Sequence, residues 1–230
     1  MTTTLRVNRV HSPVTTLGYG RRLGIWTQGC PLACPGCMSR DTWDPAAGAE
    51  VPVDRLAALW RDAVRDGADG LTISGGEPLT QPEGLAALLA AAHEIRSGTA
   101  RELDLLVFTG YEESELDDVQ RAAVRHADVL ITGRYEAGRP TGLIWRGSAG
   151  QHMLLRTELA ERRYQPFVGH TPDSSPMQVA ADEHGVWLIG VPANGTLPRL
   201  ERALRTRGVE LGRTSWRPAR GKEQGPGRKP

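Results

Sequence analysis

All three cysteines of the chain fall within one stretch, residues 24–44 (GIWTQGCPLACPGCMSRDTWD), as Cys30, Cys34 and Cys37 in the spacing C-x3-C-x2-C. Thiolates are soft ligands suited to iron–sulfur clusters, and a complete cubane normally takes four of them. Three on one short loop can hold three irons and leave the fourth open, as a catalytic cluster needs and an electron-storage cluster does not. Gly29 and Gly36 flank the ligands, and glycine lets backbone N–H groups come close to a bulky anionic group. Pro31 and Pro35 stiffen the loop and lower the entropy cost of ordering it. Other thiol chemistries fit less well. Zinc wants a fourth ligand, usually from a second paired spacing, and no histidine lies near the loop. A disulfide framework would strand one thiol and belongs to small secreted chains. Buried structural cysteines remain an alternative, although chance rarely gathers three into one Gly/Pro-rich loop.

A second constellation is Ser74-Gly75-Gly76-Glu77-Pro78, which follows the apolar run LTIS at residues 71–74. Ligand sites of parallel α/β sheets form at the carboxyl ends of strands, where this segment falls. Two glycines permit close backbone approach, and Glu77 is an acid that can pair with an ammonium group. Taken alone, the segment is equally a tight turn with a solvated glutamate. Thr109 ends the run LDLLVF and is either a ligand-contacting hydroxyl or a strand cap. Arg134 reads as a surface arginine, with a carboxylate partner as the other reading. The six histidines form no ligand or triad spacing, and Trp60 and Trp187 read as core.

The cysteine stretch resembles the signature of the radical S-adenosylmethionine (SAM) superfamily. More narrowly it is similar to the small activating enzymes of anaerobic ribonucleotide reductase and pyruvate formate-lyase. The resemblance rests on Gly18, Gly20 and Arg22, then GIWTQGC with its cysteines, then Thr42 and Trp43, and it covers about residues 5–157. Met38 stands where many relatives carry an aromatic residue, and Thr132 where they often carry Asp; Ile131, Gly133 and Glu136 match a loose adenine-contacting pattern. The resemblance implies one 4Fe-4S cluster on Cys30, Cys34 and Cys37, and SAM on the open iron. It assigns Gly36, Ser74, Gly75, Gly76, Glu77 and Thr109 to SAM, with Gly75, Gly76 and Glu77 at the methionyl amino group. It further implies a flavodoxin or ferredoxin reductant and cleavage of SAM to methionine and a 5′-deoxyadenosyl radical. The substrate it implies is a glycine of a partner glycyl-radical enzyme, such as anaerobic ribonucleotide reductase. The alternative is a stand-alone biosynthetic enzyme acting on a small molecule or peptide. A cluster-bearing electron-transfer module would have no use for Gly-Gly-Glu-Pro, and a subclass with auxiliary clusters would need further cysteines.

The elements that must position these residues read as an α/β chain. LRVNRVH (5–11) alternates as a strand, and Leu23 to Thr27 is a buried strand that delivers the cysteine loop. Asp54 reads as an N-cap for a helix burying Leu56, Leu59, Trp60 and Val64, closed by Gly67 and Gly70. Helices are also expected from Pro82 and over Glu113 to His126, with strands at 71–74, 103–108 and 128–132. Such alternation indicates a parallel sheet with right-handed crossovers; the resemblance makes it a partial (β/α) barrel. Residues 1–160 form this core and 161–211 a small C-terminal appendage. The appendage contains a hairpin in MQVAADEHGVWLIGVP and a helix in LPRLERALRTRG. Residues 212–230, rich in Gly, Pro and basic side chains, read as a disordered basic tail. A net charge of +1, from 28 basic and 27 acidic residues, gives no field for nucleic acid or membrane. MTTTLRVNRV has no apolar leader core and no 18-residue apolar run exists, so a reducing cytoplasmic location is expected.

Overall fold

Strands and amphipathic helices alternate through the first two thirds of the chain and assemble on one sheet; the structure, a computed structural model, describes residues 2–217 apart from His184 and Arg213. Its elements are β1 (Thr4–Val14), β2 (Arg22–Thr27), β3 (Ala49–Pro52), α1 (Val53–Arg65), β4 (Gly70–Gly75), α2 (Pro82–Ser97), β5 (Asp104–Phe108), α3 (Asp118–Ala123) and β6 (Val129–Thr132). β7 (His152–Leu155), α4 (Glu158–Tyr164), β8 (Met177–Asp182), β9 (Gly185–Gly190) and α5 (Thr196–Arg205) follow. The large sheet runs β3-β1-β2-β4-β5-β6-β7. Its four central strands, β2, β4, β5 and β6, are parallel; β1 and β7 flank them antiparallel, and β3 pairs antiparallel with the outer side of β1. This is an α/β architecture, an open mixed sheet with a parallel centre.

Side chains alternate across the strands with period two. Leu23, Ile25, Leu71, Ile73, Leu105, Val107 and Leu130 join Leu56, Trp60, Leu85, Leu88 and Leu89 of α1 and α2 in the main core. The opposite face carries Leu106, Val129 and Ile131 against Met153, Trp145 and Tyr164. It also carries a polar plug at the amino ends of the central strands. The Arg22 guanidinium, wholly buried, bonds Asp104 Oδ1 and Thr72 Oγ1 at 2.6 Å each and the Leu71 carbonyl at 2.8 Å. Tyr164 donates to Asp104 Oδ1 at 2.8 Å and Arg163 to Oδ2 at 2.9 Å. A Cβ on Gly70 would lie 2.3 Å from Arg22 Nη1, so a side chain there would push the guanidinium out of these bonds.

Beyond β7, the antiparallel hairpin β8–β9 docks back on the first strands. Ile189 packs with Val14 and Leu17, while Trp26, Phe108 and Trp187 lie against the same cluster. Gln178 Nε2 donates to the Pro13 carbonyl at 2.8 Å, and Thr16 Oγ1 donates to the Ile189 carbonyl at 3.0 Å.

Several expectations change. β1 runs to Val14, and β3, β7 and α4 arise where no element is expected from periodicity; the sheet is therefore mixed at its edges, not parallel throughout. α1 begins at Val53 after Pro52, which places Asp54 in its first turn and leaves Leu59 38% exposed, with Ala63 in the core instead. The helix expected over 113–126 is a 3-10 turn (Glu113–Glu115) and a two-turn α3, because Asp117 caps a new start by accepting from Gln120 N. Gly67, at φ 90°, ends α1, whereas Gly70 belongs to β4. Trp187 is half-buried beneath the Arg9 guanidinium, 4.1 Å from its ring centroid, and not a core residue. Of the tail, Gly212 and Thr214–Arg217 are described, with Ser215, Trp216 and Arg217 hydrogen-bonded, while the reading of Arg213 and 218–230 lies outside the described residues.

Candidate active site

β2 ends at Thr27, and the chain leaves it as the cysteine loop at the carboxyl edge of the parallel strands. The loop is pinned to its own exit. Gly29 N donates to the Thr42 carbonyl at 2.7 Å and Cys30 N to the Trp43 carbonyl at 3.1 Å. Gln28 Nε2 donates to the carbonyls of Asp41 and Asp44 at 3.0 and 2.8 Å. Within it Gly29 (φ 96°), Gly36 (φ 79°) and Ala33 (φ 44°) are left-handed. Such a conformation strains Ala33, and strain of this kind gathers where a loop must aim its groups.

Cys30, Cys34 and Cys37 are free and partly buried. Burial pushes the Cys30 and Cys37 thiols up, opposed by N–H groups of Leu32 and Ala33 at Cys30 and by Ser39 and Trp43 at Cys37. Half-buried thiols met by N–H donors are suited to iron, whose binding expels their protons. Among the described residues no three His, Cys, Asp or Glu side chains converge on a single ion. A cubane asks for something else: one thiolate on each of three separate irons. Three soft sulfur donors on one loop suit such a cluster.

The second constellation lies directly against this loop. Gly76 N donates to the Thr27 carbonyl and Glu77 N to the Gly29 carbonyl, each at 2.9 Å. A Cβ on Gly75 (φ 109°) would stand 2.4 Å from Thr27 N, and one on Gly76 2.3 Å from the Gly29 carbonyl oxygen. Gly75 is thus required by the end of β2 and Gly76 by the approach of the cysteine loop that leaves it, a reason the sequence does not display. Ser74 pairs in register with Trp26.

Glu77 is not solvated; it is 1% exposed. Its Oε1 accepts from Leu79 N at 3.0 Å and from Thr109 Oγ1 at 2.8 Å, and its Oε2 from Gly110 N at 2.7 Å. Burial raises its pKa above the usual carboxylate range, against the pull of these three donors. Thr109 is therefore more than a strand cap: it ties the end of β5 to the carboxylate at the end of β4. Arg134, just past β6, is half exposed and pairs with Glu115 at 2.6 Å, and the field of Cys34 bears on it.

Two tyrosines complete the surroundings and carry no spacing signal that would have marked them. Tyr111 feels both Glu77 and Cys30, and Tyr135 feels Cys37, with burial the larger cause of each raised pKa. Ala137 approaches Gly36, where an added Cβ would lie 3.0 Å from its Cβ. The loop after β6 is thereby folded over the third cysteine. Of the histidines, His93 and His126 stack at 4.5 Å with Arg96 and Arg125 donating to their ring nitrogens, remote in sequence from the loop.

Residues 16–154 match the family described as a 4Fe-4S single cluster domain. Among curated relatives, the anaerobic ribonucleoside-triphosphate reductase-activating protein of Pasteurella multocida is 37% identical over 146 residues, 61% of this chain and 91% of that protein. Its namesake from Vibrio cholerae is 35% identical over 139 residues, 58% of this chain and 87% of that protein. The crystal structure of QueE from Escherichia coli superposes over 90% of this chain and 92% of that one, with a TM-score of 0.40 and 16% identity.

Proposed function

Because this chain belongs to the 4Fe-4S single cluster domain family, and to the kin of the ribonucleotide reductase activators, it is an iron–sulfur, radical-SAM-type enzyme; we propose that it cleaves SAM reductively to activate a glycyl-radical enzyme. The observation that carries the reading is the pair of backbone bonds from Gly76 and Glu77 to Thr27 and Gly29, which makes one site of the cysteine loop and the glycine turn.

Cys30, Cys34 and Cys37 would hold the cluster, and the turn Ser74–Glu77 would receive the amino-acid end of SAM. When bound, the two supply a one-electron reductive cleavage of SAM to methionine and a 5′-deoxyadenosyl radical that takes hydrogen from substrate. The N–H groups of Gly76 and Glu77 are already spent on the cysteine loop, so the turn has carbonyl oxygens to offer, which suit an ammonium. Glu77 adds a carboxyl group close by, which an ammonium beside it would hold ionised, and its three donors keep it fixed. Gly36 and Thr109 would border the ligand at the third cysteine and at the end of β5. Tyr111 and Tyr135 would screen the site from water, which strengthens every charge contact inside it. The electron would come from a low-potential carrier of the flavodoxin or ferredoxin type, in the reducing cytoplasm that an open iron needs.

The substrate reading, a backbone glycine of an anaerobic ribonucleotide reductase, draws its support from the relatives' named role. The test is anaerobic reconstitution with SAM and dithionite, with and without such a reductase. 5′-Deoxyadenosine is assayed by chromatography and the glycyl radical by electron paramagnetic resonance (EPR). Partner-dependent appearance of a glycyl doublet is the expected result, and Cys34→Ala should lose iron content, visible absorbance and cleavage together. Deoxyadenosine with no doublet would redirect the search to a small molecule or peptide; no deoxyadenosine from cluster-loaded protein would overturn the reading.

A further inference from the structure

We propose that Ser215, well beyond the span of the family match, is a positioning residue for the cluster, holding one peptide group so that its N–H stays aimed at the Cys37 sulfur; the inference rests on the cluster reading above. The peptide in question joins Met38 to Ser39. Its N–H end, Ser39 N, donates to Cys37 Sγ at 3.4 Å. Its carbonyl end, Met38 O, accepts from Ser215 Oγ at 2.6 Å. A peptide group is planar and trans, so fixing the direction of the carbonyl fixes the direction of the N–H opposite it. A donor on the carbonyl also polarises the same unit and strengthens its N–H as a donor.

The grip is two-handed. Arg40 N donates to the Ser215 carbonyl at 3.1 Å, so Ser215 binds the loop on both sides of Ser39. From within, Thr42 Oγ1 and Thr42 N hold the Ser39 carbonyl at 2.7 and 3.1 Å. Ser215 is itself moored to α5, since Trp216 Nε1 donates to Glu201 Oε1 at 2.8 Å and Arg217 pairs with the other oxygen of that carboxylate. α5 is seated through buried Leu197. The tail after α5 thus acts as a strap across the outside of the cysteine loop.

Hydrogen bonds to cluster sulfurs draw charge from the thiolate and favour the reduced state, which carries the extra electron. Ser215 therefore raises the reduction potential of the cluster through Ser39. The test is an EPR-monitored redox titration of the reconstituted full chain, without SAM or partner, comparing wild type with Ser215→Ala, Ser215→Thr and the exposed control Arg202→Ala. Ser215→Ala should titrate at a more negative potential with altered g values. Ser215→Thr, which keeps the hydroxyl, should return toward wild type, and Arg202→Ala should superpose on it. A Ser215→Ala titration that superposes on wild type overturns the proposal, as does a lowered melting temperature with potential and g values unchanged. A wild-type chain that takes up no cubane overturns the cluster reading itself, and the positioning role with it.

Discussion

Glu77 shows how much a single residue's role depends on what surrounds it. The acid reads equally as a ligand group or a solvated turn residue, and it is neither free nor solvated: Leu79, Thr109 and Gly110 all donate to it inside the protein. Burial lifts its pKa, so between the ordinary carboxylate range and that raised value the folded chain holds a proton that the unfolded chain has released. In that window stability falls as pH rises. Thr109→Val removes a donor that favours the ionised form, so the pKa moves further up and the window extends to higher pH. It also leaves Tyr111 N, which donates to Thr109 Oγ1 at 3.1 Å, without that partner. A cost of about 1–3 kcal/mol is expected. Urea unfolding of the metal-free protein between about pH 5 and about pH 8 checks both the cost and the slope. A variant with wild-type stability and slope would refute this account of the carboxylate.

At the scale of elements, the site is a junction between the ends of β2 and β4. Gly76 is the point of closest approach, and Gly76→Ala would drive a Cβ to 2.3 Å from the Gly29 carbonyl. The cysteine loop must then move away from the turn, and a displacement of about 1 Å between reacting groups can cost a hundredfold in rate. The expected outcome is a roughly hundredfold loss of deoxyadenosine formation with iron uptake retained; equal activity would show that the contact is incidental. The elements that carry the site were legible because β2, β4 and β5 are short runs rich in apolar residues and are followed closely by glycine and polar residues. Those missed, β3, β7 and α4, are short and have no period of their own. β3 exists because β1 offers an edge (Thr4 beside Pro52, Leu5 beside Val51), and β7 because β6 does.

The whole molecule is held from below by the plug of Arg22, Asp104 and Tyr164, at the end of the strands remote from the cysteine loop. Arg22→Leu leaves Asp104 buried with Arg163 and Tyr164 as its remaining partners. Breaking one side of a buried pair costs about 3–5 kcal/mol, and a loss near 3 kcal/mol is expected in thermal unfolding. Loss of less than about 1 kcal/mol would mean that the plug is easily replaced by apolar packing. By itself the sequence determined the chemistry of the ligands and the parallel centre of the sheet, since ligand spacing and apolar period are local properties that a few neighbouring residues express. Only the tertiary structure decided that Glu77 is buried, that Gly75 and Gly76 make room for the end of β2 and the cysteine loop, and that Ser215 reaches Met38. Each of those depends on residues distant in the chain meeting at one place, and no local pattern encodes a meeting that the packing of the whole sheet creates.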